Sequence, residues 1–203
     1  MKDGEESMAI KAIVLLAEGF EEVEAITPID YLRRSEIEVC AASIGAGLTV
    51  TGSHGITVTA DTTLYELEKT NKTDPSNWDA VVIPGGLPGA NNLAACEKTG
   101  SLIRNMAAAG KWVCAICASP ALVLNPLGIL AGKKFTCYPG LEEKVSGAFW
   151  SEERTVIEVN PKGGGLITSR GAGTAGEFAV EIISRLKSAA EGKNLADKVL
   201  LRG

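Results

Sequence analysis

Histidine is almost absent from this chain, in which His54 is the only one among 203 residues. Imidazole supplies the base of most catalytic triads and the ligands of many zinc sites, so this scarcity argues against a metal site. Any nucleophile must therefore work with little help from histidine. The five cysteines are odd in number and irregularly spaced, which does not indicate a disulfide framework.

An excess of basic residues and a long hydrophobic run are also missing. The chain has 25 acidic and 20 basic residues, a net charge of −5, so no basic surface is predicted to bind nucleic acid. Apolar runs such as residues 13–17 are far shorter than the roughly 20 residues of a membrane-spanning helix. The acidic segment 1–7 does not have the basic character of a signal peptide. We therefore predict a cytoplasmic protein with no nucleic-acid or membrane partner.

The composition that remains suits one compact domain. Hydrophobic residues make up 45% of the sequence and charged residues 22%, which is usual for a globular protein of this length. We predict a single domain over residues 8–203, preceded by a disordered extension over residues 1–7.

Apolar runs typical of strands alternate with helical patterns along this domain. Residues 9–17 and 38–43 have the pattern of strands and residues 21–34 that of a helix, which gives a βαβ opening. Further strands are expected at residues 48–51, 56–59, 79–83, 111–116, 135–137, 155–159 and 166–169. The alternation predicts an α/β fold with a mostly parallel sheet and helices on both faces. Ligands of such sheets bind at the carboxyl ends of the strands.

The clearest sign of chemistry follows the predicted strand 111–116. Cys117 stands where this strand meets a helical pattern, and the residues two positions away, Ala115 and Ser119, are small. A nucleophile elbow has this form, because strand and helix approach closely around a sharp turn. The start of a helix also favours a thiolate. We predict that Cys117 is the one activated thiol; a buried inert cysteine is the alternative.

Two further motifs suggest redox or cofactor sites, and neither fits its surroundings. Cys114 and Cys117 form a C-x-x-C pair, but strand residues three apart point to opposite faces, which is poor disulfide geometry. Residues 171–176 match G-x-G-x-x-G, yet the pattern after the next helix lacks the strand that a dinucleotide site needs. We predict no cofactor and no metal.

Backbone donors are expected beside Cys117. Gly85 and Gly86 follow the predicted strand 79–83 and so lie at the same edge of the sheet. Their N–H groups, with that of Ala118, would form an oxyanion hole for a carbonyl that Cys117 attacks. A plain Pro-Gly-Gly turn is the alternative.

Acidic residues crowd the start of the first predicted helix. The helix dipole explains Glu21 and Glu22. Glu24 lies on the face with larger side chains such as Phe20, and we expect it to face the crevice at the strand ends. Burial there would raise the pKa of its carboxyl, which would then share a proton with the Cys117 thiolate.

Four segments, taken in order, resemble the signature blocks of the ThiJ/PfpI superfamily. They are Glu18-Gly-Phe-Glu-Glu-Val-Glu24, Val82-Ile-Pro-Gly-Gly86, Ala115-Ile-Cys117-Ala-Ser-Pro120 and Thr168-Ser-Arg-Gly-Ala-Gly-Thr174. The resemblance runs over residues 8–186 and is closest to the branch of the parkinsonism-associated deglycase and its bacterial relatives. It implies a flavodoxin-like three-layer sandwich that forms a homodimer. The site residues that it implies are the nucleophile Cys117, its acid partner Glu24, and the oxyanion donors Gly85, Gly86 and Ala118.

The sequence departs from this superfamily in its pocket. Many relatives place a histidine beside the elbow cysteine, where this chain has Tyr138. His54 stands where that branch has an arginine that reaches the neighbouring subunit's pocket, and Arg34 is at the position of its partner. We expect Tyr138, His54 and Arg34 to contribute to substrate binding. Because the protease members rely on the missing histidine, peptide hydrolysis is disfavoured.

The resemblance leaves two classes of function open. One is a cofactor-independent cysteine enzyme, similar to glyoxalase III or deglycase, that protects against carbonyl stress. Its substrates would be reactive 2-oxoaldehydes such as methylglyoxal, or their early adducts with thiols and proteins. The other is a non-enzymatic sensor of oxidative stress, or a chaperone, that acts through oxidation of Cys117. The expected partners are these small carbonyl compounds or glycated adducts and a second copy of the chain.

Overall fold

The computed structural model describes residues 9–201 of the chain. Its strands are β1 (Lys11–Leu16), β2 (Glu38–Ser43), β3 (Thr49–Thr51), β4 (Thr57–Thr59), β5 (Thr62–Thr63), β6 (Ala80–Ile83), β7 (Trp112–Ile116), β8 (Lys134–Phe135), β9 (Phe149–Trp150), β10 (Thr155–Val159) and β11 (Gly165–Ser169). Its α-helices are α1 (Glu22–Arg34), α2 (Leu64–Lys69), α3 (Gly89–Ala95), α4 (Glu97–Ala108), α5 (Ala175–Leu186) and α6 (Ala189–Lys198).

A seven-stranded sheet in the order β10-β11-β7-β6-β1-β2-β5 forms the centre of the molecule. Its strands run parallel except β10, which pairs with β11 in the antiparallel direction. Outside this sheet, β3 and β4 form a hairpin, and β8 pairs with β9. The arrangement confirms the predicted flavodoxin-like α/β fold with a mostly parallel sheet and helices around it.

Alternate side chains of the central strands enter two separate core layers. In β1, Ile13 and Leu15 join the layer that α2, α3 and α4 cover, whereas Val14 joins the layer beneath α1, α5 and α6. All three side chains are fully buried. A strand that is buried on both faces has no polar face, which explains why these strands are continuous apolar runs in the sequence.

Two segments differ from the sequence-based prediction. The helix expected to follow Cys117 is a π-helical turn, Pro120–Leu124. The segment after α5, where the sequence pattern indicates a tail, forms α6. The Ser188 side chain caps this helix by accepting the Glu191 N–H at 3.2 Å. Since α6 and not a strand follows α5 up to residue 201, the G-x-G-x-x-G segment does not open a dinucleotide-binding βαβ unit.

Two predictions, the disordered extension and the single domain, concern the whole chain and not individual helices or strands. The disordered extension predicted for residues 1–7 lies outside the described residues, and the single domain over residues 8–203 stays a prediction. Within residues 9–201, no helix has both the length and the apolar character needed to cross a membrane.

Glu22 anchors the β3–β4 hairpin to the start of α1. Its carboxylate accepts the backbone N–H of His54 at 2.7 Å and that of Ile56 at 3.4 Å. The His54 Nδ1 atom lies 2.9 Å from the second carboxylate oxygen. Gly52 provides the room, because a Cβ there would overlap the Glu22 carboxyl group. Glu22 therefore holds a buried contact between two elements, which the helix dipole alone does not explain.

These bonds change the pKa values of both partners. Burial opposes ionisation of Glu22, but the bonds from the His54 ring and from backbone N–H groups outweigh it and lower the pKa of Glu22 from 4.5 to about 2. The bond to Glu22 raises the pKa of His54 above 6.5. The Glu22 contribution to stability is present above pH 4.5 and is lost as pH falls towards 2; the His54 contribution is full below pH 6.5 and is lost at higher pH.

We predict that Glu22→Gln destabilises the fold most between these limits. At about pH 5.5 the free energy of unfolding should fall by roughly 1.5–3 kcal/mol, because the charged acceptor of the His54 and Ile56 N–H groups is lost. The loss should shrink near pH 2.5, close to the folded-state pKa of Glu22 of about 2, and also at alkaline pH, because His54 then loses its proton. Urea unfolding followed by circular dichroism measures it, with Glu143→Gln as the exposed control. An equal loss at all three pH values would contradict this account.

Candidate active site

Cys117 lies on a sharp turn directly after β7. Its φ of +64° is in the left-handed region, which is costly for a residue with a side chain unless its neighbours hold it there. Its N–H donates to the Ser169 carbonyl at 2.9 Å, and its own carbonyl accepts the Tyr138 N–H at 2.8 Å. Bonds on both sides therefore hold the turn in the strained form expected of a nucleophile elbow.

Two backbone N–H groups, those of Gly86 and Ala118, are directed at the Cys117 sulfur. Gly86 has a φ of +89°, and a Cβ there would overlap the backbone around Glu21, so this position requires glycine. Ala118 is buried, whereas Cys117 is partly exposed. Negative charge on the sulfur, or on an oxygen beside it, would be stabilised by both donors.

Glu24 reaches the same point from the first turn of α1. It is 1% exposed, forms a hydrogen bond with Cys117, and accepts the Gly85 N–H at 2.9 Å. A Cβ on Gly85 would lie 2.7 Å from both the Glu24 Oε2 atom and the Cys117 Cβ atom. Glycine at this position therefore lets three segments of the chain meet.

This contact corrects the role expected of Gly85. Its N–H is engaged by the Glu24 carboxyl group, so it orients the acid and does not point to an empty oxyanion position. The N–H groups of Gly86 and Ala118 are the remaining candidates for oxyanion donors, because they face the sulfur and the place of an oxygen on a substrate bonded to it.

The pKa of Glu24 is raised to about 7, mainly by burial. The negative charge of Glu21 adds to this rise, whereas the hydrogen bond with Cys117 opposes it. Burial also raises the pKa of the Cys117 thiol, and the Glu24 carboxylate raises it further. The N–H groups of Gly86 and Ala118 lower the pKa of Cys117, as expected at this turn, but burial and Glu24 outweigh them. When Glu24 is protonated this repulsion disappears and its O–H can donate to the sulfur. Transfer of the thiol proton to the Glu24 carboxylate would therefore give a thiolate beside a neutral acid.

Tyr138 lies at the edge of the same site. A Cβ on Gly171 would lie 3.6 Å from the Tyr138 Cδ2 atom and 3.8 Å from the Glu24 Oε1 atom, so both side chains border the space over Gly171. The tyrosine side chain is 53% exposed. Its phenol is therefore available to a ligand that approaches Cys117 from solvent.

His54 and Arg34 are not brought to Cys117 within this chain. His54 is held by Glu22, and Arg34 donates to Asp30 at 2.7 Å in the last turn of α1. At about 1.5 Å per residue, Arg34 lies roughly 15 Å along the helix from Glu24. The expected contribution of both residues to a neighbouring subunit's pocket stays a prediction.

One group of side chains has the spacing of a metal site. Ligand atoms of Glu21, Glu22 and His54 lie within 4.8 Å of one another. Their hydrogen bonds already account for this closeness, because Glu21 caps α1 by accepting the Glu24 N–H at 2.7 Å and Glu22 anchors the hairpin through His54. The closeness of the three groups therefore needs no metal ion to explain it.

Sequence reasoning missed the polar role of Ser119. The pattern of the elbow requires only a small residue at this position, yet the buried Ser119 hydroxyl lies 2.5 Å from the Pro84 carbonyl oxygen and donates to it. The signal in the sequence was a hydroxyl where the elbow pattern usually has glycine.

A mostly parallel sheet whose strand ends carry a strained cysteine, two N–H groups directed at its sulfur and a buried glutamic acid defines a flavodoxin-like protein with a cysteine–glutamate site. The chain belongs to the DJ-1/PfpI family, whose family model matches residues 10–185. This confirms the family resemblance drawn from the sequence.

Several named relatives cover most of the chain. Protein dj-1beta of Drosophila melanogaster is 36% identical over 195 residues, which are 96% of this chain and 98% of that protein. The protein named deglycase from Pyrococcus horikoshii is 35% identical over 153 residues, 74% of this chain and 87% of its own. Protein DJ-1 homolog B of Arabidopsis thaliana is 38% identical over 93% of this chain, but the chain spans only 41% of that protein's length.

Solved structures of related proteins share the fold closely. The crystal structure of Drosophila melanogaster DJ-1beta has a TM-score of 0.86 and 34% identity, over 97% of this chain and 100% of that one. The structure described as oxidized DJ-1 of Toxoplasma gondii has a TM-score of 0.86 and 33% identity, over 95% of this chain and 98% of that one.

Proposed function

We propose that this protein is a cofactor-independent cysteine enzyme, similar to glyoxalase III or deglycase, that acts on reactive 2-oxoaldehydes or their early adducts with thiols and proteins. The observation that carries the proposal is the buried Glu24 carboxyl in contact with Cys117, with a pKa of about 7. A group with this pKa accepts and returns a proton with equal ease at neutral pH. The relative named deglycase supports the substrate class.

The reaction would begin with attack of the Cys117 thiolate on the aldehyde carbon. A C–S bond forms while the carbonyl oxygen takes up a proton, which gives a hemithioacetal. The N–H groups of Gly86 and Ala118, directed at the sulfur, would stabilise the negative charge that develops on that oxygen.

Glu24 would then move a proton between two carbons. Its carboxylate removes the proton from the carbon bonded to sulfur, which gives an enediolate. The same carboxyl group returns that proton at the neighbouring carbon, while the hydroxyl proton of the hemithioacetal passes to the oxygen of that neighbouring carbon. The product is a thioester of Cys117 with a 2-hydroxy acid. Water hydrolyses the C–S bond and restores the thiol, so the sum is one 2-oxoaldehyde and one water converted to one 2-hydroxy acid.

A second candidate function is favoured by the surroundings of the sulfur. Gly86 and Ala118 direct N–H groups at it, and Glu24 is within hydrogen-bonding contact. The same groups would stabilise a sulfinate formed from Cys117 by peroxide, as in a sensor of oxidative stress or a chaperone. Catalysis remains the first proposal, because a sensor does not require a buried acid whose pKa is close to 7.

We further propose a cytoplasmic homodimer that acts without nucleic-acid or membrane partners. Val23 and Ile26 lie three residues apart on α1 and are 47% and 40% exposed, and Ile56 of the adjoining hairpin is 57% exposed. An apolar surface of this kind typically contacts another protein. A second copy packed on it would be able to bring charged groups such as Arg34 towards the pocket.

Loss of methylglyoxal without glutathione tests the enzyme proposal. Cys117→Ala should abolish turnover, and Glu24→Gln should lower kcat at least about 100-fold, because an amide cannot transfer the proton. Tyr138→Phe should cost only about 1 kcal/mol, or about fivefold, as expected for one neutral hydrogen bond. Tyr65→Phe is the matched control, since Tyr65 is also 53% exposed.

A different outcome would identify a sensor. If Glu24→Gln and Tyr138→Phe both consume methylglyoxal as the unmodified protein does, and if consumption stops at one equivalent per Cys117, the thiol is modified without turnover. The enzyme proposal would then fail.

Sedimentation at micromolar concentration tests the dimer. The unmodified protein should sediment with twice the chain mass, and Ile26→Glu should shift it towards the monomer, because a charge would be buried in the interface. Val159→Glu, at a position that is 62% exposed at the end of β10, is the control. A monomeric unmodified protein would refute the dimer and the pocket roles of His54 and Arg34.

A further inference from the structure

Ser119 connects the elbow to the turn that carries Gly85. The paired part of β6 and β7 ends at Ile83 and Ala115. Beyond this end, the Ser119 hydroxyl donates to the Pro84 carbonyl at 2.5 Å, and its side chain is fully buried. The bond therefore fixes the position of one peptide group beyond the last paired residues of β6 and β7.

This peptide group is also the one that holds Glu24. The carbonyl of Pro84 and the N–H of Gly85 belong to the same trans peptide plane and point in opposite directions. The N–H donates to the Glu24 Oε2 atom at 2.9 Å. Two hydrogen bonds, from Ser119 to the peptide and from the peptide to Glu24, are thus joined through one amide. A donor on the carbonyl polarises the amide and strengthens its N–H as a donor.

We propose that Ser119 is a positioning residue of this site, whose hydroxyl orients and polarises the Pro84–Gly85 peptide group so that the Gly85 N–H holds the Glu24 carboxyl against Cys117. This role does not require Ser119 to touch the sulfur or a substrate. It acts through the peptide, and its effect is on the ionised form of Glu24. The inference deepens the proposed function, because it concerns the same acid.

Three other side chains surround Glu24, those of Glu21, Cys117 and Tyr138. Glu21, on the same helical turn, contributes a negative charge, and Cys117 contributes its thiol. Tyr138 contributes its phenol ring beyond Gly171. A hydrogen bond to a carboxylate stabilises the charged form, so weakening the Gly85 bond should raise the pKa of Glu24 without altering these neighbours.

The test measures the titration of Glu24 directly, by NMR of protein with 13C-labelled glutamate side chains. All variants carry Cys117→Ala, so that the thiol does not titrate with the acid, and the spectrum of Glu24→Gln identifies the signal. Adding Ser119→Ala should raise the pKa of Glu24 by roughly half a unit. Ser119→Thr, which retains the hydroxyl, should restore the original value.

Ser184→Ala is the matched control, because the Ser184 hydroxyl also donates to a backbone carbonyl, that of Val180, at 2.8 Å but within α5. It should leave the titration unchanged. If Ser119→Ala does not fold, Ser119→Cys supplies a weaker donor of nearly the same volume and should shift the pKa in the same direction. An unchanged pKa in the Ser119 variant, or an equal shift in the Ser184 control, overturns the proposal.

This measurement is independent of catalysis. Failure to consume methylglyoxal would overturn the proposed function, but the Glu24 titration would still be expected to shift in the Ser119 variant. A titration that does not respond to Ser119 would overturn the positioning role alone.

Discussion

The site depends on the contact between Glu24 and Cys117. This contact is possible only because Gly85 has no side chain. These residues follow β1, β6 and β7, which are neighbours in the sheet and parallel. Their carboxyl ends therefore meet at one edge, as in other open α/β folds. A side chain on Gly85 would come within 2.7 Å of both partners. The apolar strands fix the approach of the segments, and glycine makes that approach short enough for a shared proton.

The first turn of α1 shows how strongly surroundings decide the chemistry of one residue type. Glu22 and Glu24 are both buried carboxyl groups two residues apart. Glu22 accepts bonds from two N–H groups and an imidazole, which lower its pKa to about 2. Glu24 accepts one N–H and contacts a thiol, so burial prevails and raises its pKa to about 7. One acid therefore stabilises the hairpin, and the other is able to exchange a proton at neutral pH.

The fold and the elbow could be predicted from the sequence, because apolar runs and small residues indicate backbone geometry. The continuous runs of β1, β6 and β7 indicated a parallel sheet, and small residues on either side of Cys117 indicated the elbow. The sequence did not show which N–H meets which carboxyl group. Gly85, expected to face an oxyanion, binds Glu24, and Ser119, expected to be merely small, donates a hydrogen bond. Such pairings depend on distances between segments far apart in the chain, which local patterns do not contain.

The central claim is that a proton shared with Glu24 makes Cys117 the activated thiol, and pH-dependent labelling by iodoacetamide with mapping of the adducts tests it directly. Cys117 should label before the other cysteines at about pH 6, with a rate that rises around the pKa of Glu24, about 7. Glu24→Gln should move that rise to higher pH, because an amide cannot carry the proton. Earlier labelling of Cys40 or Cys137, or an unchanged profile in Glu24→Gln, would contradict the account.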